Sequence, residues 1–318
     1  KNIYSNIFPY NKKSLHKTIT DLNKGNIVGL PTETVYGLAG NAYSKESVQK
    51  IYKLKKRPKI NPLIVHFYNY EDAKNDIILT SSFFKLYKKF CPGPITFILK
   101  KKNNSKIHPI VSAKLDTVAI RFPDHKIIRS ILKKISFPLA MPSANISSGV
   151  SPVSAEDVAD EFKKKIKLIL DGGKSKIGIE STVIDLTNKH SILRPGIIEP
   201  AKIKKILKKK INIITRNCSI ISPGMLKRHY SPGIPIFLNK KTTNSANAQI
   251  TLGKKYKNKK NYFNLSKKSD LKEAASNLYK TLRKIKKLKF KKIYVTKIPN
   301  FGAGIAINDR LKRAAKKK

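Results

Sequence analysis

The chain has 318 residues, enough for about two ordinary domains, and its 40% apolar and 27% charged residues are typical of a globular protein. The formal net charge of +49 favours polyanionic partners, although lysines spread along the whole chain equally fit a compositional bias of the surface. We expect a soluble, cytoplasmic protein, because no apolar run approaches roughly 18 residues and the start lacks a signal-peptide pattern. Cys91 and Cys218 encode neither a disulfide framework nor a zinc ribbon.

The first part of the chain alternates helices and strands. A helix with apolar residues at positions 15, 19 and 22 ends at Gly25, and a short strand over residues 26–30 ends at Pro31. Ser44 can cap a second helix. Further strands are predicted over residues 63–67, 95–99, 118–122, 138–141, 167–170 and 182–186, with helices over residues 127–134 and after Ser154. This alternation predicts an α/β or α+β domain around one twisted sheet over residues 1–209.

The composition changes after residue 209. Residues 220–235 are rich in Pro and Gly, and we predict an irregular linker over residues 210–235. Beyond the linker we predict a strand over residues 236–238, a helix capped by Ser269, a strand over residues 293–298 and a last helix that starts after Gly304. These elements predict a second, small domain over residues 236–318.

Several common site motifs are incomplete. Residues 171–175 end like a phosphate-binding P-loop, but Leu168 stands where that motif needs a glycine. Residues 301–304 begin like a dinucleotide fingerprint, but Ile307 replaces its third glycine. The histidines lack metal-ligand spacing, and no G-x-S-x-G elbow is present.

Four polar segments instead stand beside predicted strands: P-T-E-T-V-Y-G-L at 31–38, K-K-R-P-K-I-N-P-L at 55–63, P-S-A-N-I-S-S-G at 142–149 and G-I-E-S-T-V-I-D at 178–185. Polar groups at strand ends lie where open α/β sheets bind ligands, although a capped turn is the alternative for the first segment. Lys55 supplies a compact ammonium charge, and the planar guanidinium of Arg57 can donate two parallel hydrogen bonds. Together they are suited to binding phosphate. The same charges could simply complement the dipole of a helix end.

In order and spacing, these segments resemble the threonylcarbamoyl-AMP synthase family in its long form. The similarity continues through L-R-P-G at 193–196, P-G-M-L-K-R-H-Y-S-P at 223–232 and G-x-G-x-A-x-x-D-R-L-x-R-A-A at 302–315. The resemblance implies a twisted YrdC-like (DHBP-synthase-like) mixed-sheet α/β catalytic domain with a concave cavity over residues 1–209. It also implies a linker or lid over 210–235 and a small Rossmann-like α/β domain over 236–318.

The family's reaction joins L-threonine, bicarbonate and ATP into threonylcarbamoyl-adenylate and pyrophosphate, for modification of the tRNA adenosine next to the anticodon by a downstream threonylcarbamoyl transferase machinery. By resemblance, L-threonine is held by Thr34, His66, Arg121, Met141 and Ser181. ATP is held by Arg57, Asn61, Thr117, Ser143, Asn145, Ser151, Arg194 and Tyr230, with Lys55 and Arg57 as the catalytic cations. Mg²⁺ is expected to be held by ATP and not by protein side chains. Met141 replaces a residue that is usually small in the family, which we expect to tighten the threonine side.

Two other functions compete with this one. A basic RNA-binding module without catalysis fits the charge, but it does not require the polar segments. Carbamoyl transfer in hydrogenase maturation also uses a YrdC-like module, but it requires cysteine-rich zinc modules that two isolated cysteines cannot form. A catalytically inactive scaffold has no support, because every motif position is present.

Overall fold

Eleven strands of the first part of the chain form one mixed sheet in the computed structural model, which describes residues 4–188, 190–214, 229–256 and 259–316. In chain order these are β1 (Ile7–Pro9), β2 (Val28–Leu30), β3 (Gly37–Asn41), β4 (Ile64–His66), β5 (Ile95–Lys100), β6 (Thr117–Arg121), β7 (Leu139–Ala140), β8 (Ile169–Asp171), β9 (Thr182–Asp185), β10 (Ser191–Arg194) and β11 (Asn212–Ile213). Their order across the sheet is β1-β8-β2-β3-β7-β4-β6-β5-β9-β10-β11.

Parallel and antiparallel neighbours occur together in this sheet. The pairs β4/β6 and β5/β9 are parallel, whereas β2/β3, β3/β7, β4/β7 and β5/β6 are antiparallel. The accompanying helices are α1 (Lys12–Asn23), α2 (Lys45–Lys55), α3 (Tyr70–Ala73), α4 (Ser81–Phe90), α5 (Lys126–Leu132), α6 (Ala155–Phe162) and α7 (Pro200–Leu207). The predicted α/β class with one large mixed sheet is confirmed.

A second sheet belongs to the end of the chain and is entirely parallel. Its strands are β12 (Ile236–Leu238), β13 (Ala248–Thr251), β14 (Tyr262–Asn264) and β15 (Ile293–Val295), in the order β12-β15-β13-β14. Helices α8 (Leu271–Lys287) and α9 (Ala303–Ala314) pack on it. Helix α8 connects β14 to β15, and no described helix connects β12 to β13 or β13 to β14. We refer to this parallel α/β unit as the small domain.

Two helix starts in the small domain differ from the prediction. The α8 cap is Asp270 and not Ser269, because the Asp270 carboxylate accepts the backbone N–H groups of Lys272 and Glu273, whereas Ser269 has a φ of 59°. Helix α9 begins at Ala303, directly after Gly302 with a φ of 52°, so that Gly304 lies inside its first turn. Local propensity alone does not decide between adjacent cap residues.

The predicted linker is only partly described. Strand β11 pairs with β10 and therefore extends the large sheet to Ile213, beyond the predicted boundary at residue 209. Residues 215–228 of the predicted linker lie outside the described residues, and the description resumes at His229. The domain boundaries stay a prediction.

The small domain shares an apolar core with loops of the large one. Val35, Val150 and Ile179 of the large domain belong to the same buried cluster as the α8 and α9 side chains. At Gly178, whose φ is +71°, an added Cβ would lie 2.6 Å from the backbone of Ser276 in α8. The two domains are therefore closely packed at the loops that follow β7 and precede β9. None of the described helices has the length and apolar character needed to cross a membrane.

Candidate functional site

A narrow cavity of about 50 Å³ lies where the ends of several strands of the large sheet meet the small-domain side of the molecule. Its lining includes Thr34, Arg57, His66, Arg121, Met141, Ser143, Arg194 and Tyr230 from the predicted set, together with Thr32, Glu180 and His229. His66, Arg121 and Tyr230 each carry a buried polar atom without a hydrogen-bond partner. Such atoms are costly to bury unless a ligand or water satisfies them.

Larger depressions of about 550 Å³ and 570 Å³ lie elsewhere on the surface. None of their described lining residues carries a buried polar side-chain atom without a partner. The narrow cavity is therefore the candidate site because its lining carries buried polar atoms without partners, and not because of its volume.

Arg121 is anchored by the first polar segment. It ends β6, and its Nη2 lies 2.5 Å from Glu33 Oε1 while its Nη1 donates to Thr34 Oγ1 at 2.8 Å. The Thr32 hydroxyl hydrogen-bonds Thr34 Oγ1 at 2.9 Å and so fixes that partner. Arg121 Nε remains unpartnered, which leaves a buried donor. The sequence argument placed Arg121 in the site but did not assign a role to Glu33, whose signal is the single acid among hydroxyls in P-T-E-T.

His66, which ends β4, is 1% exposed and lies beside Arg121 in the parallel β4/β6 register. Burial, and then the nearby Arg121 charge, lower the pKa of His66 well below its usual range. Neither ring nitrogen has a partner. A neutral imidazole can donate from one nitrogen and accept at the other, so His66 offers a ligand both kinds of hydrogen bond.

Lys55 and Arg57 are separated by the end of α2. Lys56 adopts a left-handed conformation with φ of 48°, and both Lys55 and Arg57 are buried on either side of it. The Arg57 guanidinium lines the cavity and donates to the Asn61 and Pro62 carbonyls and to the Asn61 side chain. Burial lowers the pKa of Arg57 to about 10, with a smaller contribution from Arg194.

Lys55 does not line the cavity. Its Nζ donates to the backbone carbonyls of Ser143 and Asn145, each at 2.5 Å. Burial, followed by the charge of Arg57, lowers the pKa of Lys55 well below its usual range. In this structure Lys55 supports the P-S-A-N segment, in which Ser143 Oγ donates to Asn145 Oδ1 at 2.6 Å.

Arg194, at the end of β10, is hydrogen-bonded to Ser181, just before β9. Arg194 Nε donates to the Ser181 carbonyl at 3.0 Å and Nη2 to Ser181 Oγ at 3.0 Å. Ser181 Oγ also hydrogen-bonds Thr96 Oγ1 at 2.7 Å and is fully buried. The Arg194 side chain lines the cavity, and Ser181 lies behind it.

Tyr230 fills the end of the cavity next to the small domain. It is fully buried, its hydroxyl has no partner, and its ring stacks on Tyr279 with centroids 5.8 Å apart. The Arg310 guanidinium lies 5.0 Å from the ring centroid. The backbone N–H of Ser231 donates to the Ser148 carbonyl at 2.9 Å, which fixes this segment to the loop after P-S-A-N.

The predicted site residues fall into three groups. Eight line the cavity: Thr34, Arg57, His66, Arg121, Met141, Ser143, Arg194 and Tyr230. Five are buried outside the lining and contact the lining residues or their segments: Lys55, Asn61, Asn145, Ser151 and Ser181. Thr117 begins β6, four residues or about 13 Å of strand from Arg121, and does not line the cavity. Met141 packs over Gly37, where an added Cβ would lie 2.5 Å from Met141 Cγ.

Comparison with known families covers almost the whole chain. A family model described as Telomere recombination matches residues 20–196, and a model described as Threonylcarbamoyl-AMP synthase, C-terminal domain, matches residues 198–316. The chain is 35% identical to a threonylcarbamoyl-AMP synthase of Pyrococcus abyssi over 92% of each chain. It is 34% identical to the Bacillus subtilis protein of the same name, over 92% of this chain and 90% of that protein.

A solved structure gives the same result for the fold. The crystal structure of P. abyssi Sua5 complexed with L-threonine matches with a TM-score of 0.87 and 30% sequence identity, over 97% of this chain and 96% of that one. The likeness therefore includes both domains and their relative placement.

Proposed function

The chain belongs to the threonylcarbamoyl-AMP synthase family, and we propose that its cavity joins L-threonine, bicarbonate and ATP into threonylcarbamoyl-adenylate and pyrophosphate. The observation that carries this proposal is that three arginines and a histidine line the same cavity. Arg121 and His66 lie at the ends of adjacent parallel strands, and Arg57 and Arg194 line the same cavity. An amino acid and a nucleotide could thus be held side by side.

Arg121 and its neighbours suit the amino acid. A guanidinium pairs with a carboxylate, and the free Arg121 Nε and the two free His66 nitrogens supply further hydrogen bonds for the carboxylate, hydroxyl or amine of L-threonine. A solved relative, P. abyssi Sua5, has been crystallised with L-threonine. The side chain of Met141 limits the space for the substrate methyl group.

Two bond-forming steps account for the product. The threonine amine adds to the carbon of bicarbonate, forming the N–C bond and releasing water, which gives a carbamate. A carbamate oxygen then attacks the α-phosphorus of ATP, and the bond to the bridging oxygen breaks with its electron pair leaving on pyrophosphate. No protein nucleophile is required, so the enzyme acts by positioning and by stabilising phosphate charge.

Arg57 and Arg194 supply that positive charge, and Ser143 supplies a hydroxyl. ATP would bring Mg²⁺ with it, and the ion would supply further positive charge to the phosphates. The Glu180 carboxylate at the cavity already accepts hydrogen bonds from Ser151, Tyr279 and Arg310, so it is not a free metal ligand. Among the residues that the structure describes, no three metal-ligating side chains come together.

Tyr230 must move for both substrates to enter. A volume of about 50 Å³ is far below the roughly 300–1,000 Å³ of typical ligand sites. We infer that the segment around Tyr230 opens for ATP and closes over the adenylate, a mixed anhydride that water would hydrolyse. The product then passes to a transferase machinery that modifies tRNA, and the +49 charge supports weak contact with RNA.

The test is pyrophosphate release from ATP with each amino acid in turn, with and without bicarbonate, and with the adenylate identified by mass. The proposal expects release with L-threonine that is lost without bicarbonate. Release with another amino acid would change the substrate. No release with any amino acid, together with tight and salt-sensitive RNA binding, would favour the RNA-binding module instead.

A further inference from the structure

Glu180 connects the cavity to the small domain. It lies two residues before the first residue of β9, is 6% exposed and lines the cavity. Its Oε1 accepts from Ser151 Oγ at 2.5 Å, within the large domain. Its Oε2 accepts from Tyr279 Oη at 2.8 Å and from Arg310 Nε at 2.9 Å, both of the small domain. One buried carboxylate thus receives donors from three separate parts of the chain.

The same two small-domain residues hold Tyr230. The ring of Tyr279 stacks on that of Tyr230 with an interplanar angle of 24°, and the Arg310 guanidinium lies within cation–π distance of it. Arg310 is fully buried and is also paired with Asp309 at 2.7 Å. Tyr279 and Arg310 therefore orient both a cavity carboxylate and the aromatic ring that closes the cavity.

Arg283 of α8 fixes the neighbouring loop. Its Nη2 donates to the Val150 carbonyl at 2.5 Å and its Nε to the Ser151 carbonyl at 3.4 Å. Ser151 is consequently held at its backbone by Arg283 and at its hydroxyl by Glu180. Among the described residues, no hydrogen bond of Glu180, Tyr279, Arg283 or Arg310 reaches Arg121 or His66, which lie on the side proposed for the amino acid.

The Glu180 carboxylate stays ionised in this network. Burial by itself would raise its pKa, but the charges of Arg310 and Arg194 and the hydrogen bonds from Ser151 and Tyr279 lower the pKa to about 2. Charge-assisted hydrogen bonds to a buried carboxylate are among the stronger ones in proteins. Glu180 therefore acts in this network as a fully paired carboxylate with three donors.

We propose that Tyr279 and Arg310 are positioning residues for ATP: through Glu180 and Tyr230, the small domain fixes the nucleotide half of the cavity and leaves the amino-acid half unaffected. This inference rests on the proposed ATP site. It gives the small domain a defined role: when the segment around Tyr230 is closed, this domain holds Ser151 and Tyr230 beside Arg57 and Arg194.

The experiment compares Tyr279→Phe with Lys287→Ala by calorimetric titration of ATP and, separately, of L-threonine. Tyr279→Phe keeps the stacked ring and removes only the hydroxyl that donates to Glu180. Lys287→Ala also breaks a contact between the domains, the 2.6 Å ion pair with Asp160, but Lys287 is 63% exposed and outside the network. We expect about tenfold weaker ATP binding for Tyr279→Phe, with the L-threonine affinity within about twofold of wild type. Lys287→Ala should match wild type for both ligands.

A double variant separates positioning from general loosening. If Tyr279 acts through Glu180, adding Tyr279→Phe to Glu180→Gln should weaken ATP binding by much less than it does alone. Full additivity, unchanged ATP affinity in Tyr279→Phe, or an equal fall in ATP and L-threonine affinities would overturn the proposal. Because binding is measured without turnover, a wild-type chain that binds ATP but releases no pyrophosphate would refute the proposed reaction and leave this comparison intact.

Discussion

Replacing Glu33 by Gln tests whether Arg121 depends on a buried counter-charge. The two side chains are 7% and 5% exposed, and their atoms lie 2.5 Å apart. The substitution keeps the shape and an acceptor oxygen but removes the charge. Arg121 would then be a buried cation beside a neutral amide, with its Nε already unpartnered.

The exposed pair Lys74–Glu71 provides a matched comparison. Its atoms are also 2.5 Å apart, but its side chains are 58% and 49% exposed. Breaking a buried ion pair from one side typically costs about 3–5 kcal/mol, whereas an exposed pair contributes about 0–1 kcal/mol. Since the Gln oxygen can still accept from Arg121, we expect Glu33→Gln to lose about 3 kcal/mol of unfolding free energy and Glu71→Gln less than about 1 kcal/mol.

Urea unfolding followed by circular dichroism measures both losses in the same buffer. L-threonine affinity should fall in Glu33→Gln and stay unchanged in Glu71→Gln, because only the first variant alters the group proposed to hold the substrate carboxylate. Equal losses of stability in the two variants would refute the reasoning, since burial is the difference between the pairs.

Three further outcomes are expected. Arg57→Ala should lower threonine-dependent pyrophosphate release by about 10²–10³-fold while circular dichroism stays native; near wild-type turnover would remove Arg57 from the mechanism. Gly178→Ala should lower the unfolding free energy by about 2 kcal/mol more than Gly173→Ala, because both glycines have positive φ but only the first would collide with Ser276. Burial lowers the pKa of His229 to about 3, so that below pH 6.5 the unfolded chain binds a proton that the folded chain does not. Between pH 7.5 and pH 5 the wild type should therefore lose about 2 kcal/mol more than His229→Gln in urea unfolding, and parallel pH curves would contradict this.

Local sequence signals predicted the elements that carry the site. The predicted cap Ser44 does begin α2, and its side chain accepts the Ser47 N–H. Apolar runs predicted β5 and β9 to within a residue of their observed ends. Strand β3 is absent from the prediction, because its Gly37 and Gly40 disfavour strands in isolation and are required here by close neighbours, the side chains of Met141 and Ile27.

Motif position predicted residues that lie close together, apart from Thr117, but it did not predict which way each side chain points. Arg57 faces the cavity, whereas Lys55, two residues earlier, points to backbone carbonyls of the P-S-A-N segment. The turn at Lys56 decides this, and its left-handed conformation leaves no clear signal in a run of basic residues. The assigned roles of the site residues stay predictions.

Long-range pairing explains why the small domain's part in the site was not predicted. Glu180 and Arg310 are 130 positions apart, and each has an ordinary local interpretation, as a strand-flanking acid and as a basic residue on a helix. Burial overturns both local interpretations. A carboxylate and a guanidinium that are almost entirely enclosed destabilise the fold unless each is paired. In a chain with a net charge of +49, basic residues are too common to mark a site, whereas the few acidic residues are better indicators of buried ion pairs. Two acids of the polar segments, Glu33 and Glu180, are each paired with a buried arginine. Glu33 pairs with Arg121 on the side proposed for the amino acid, and Glu180 pairs with Arg310 on the side proposed for the nucleotide.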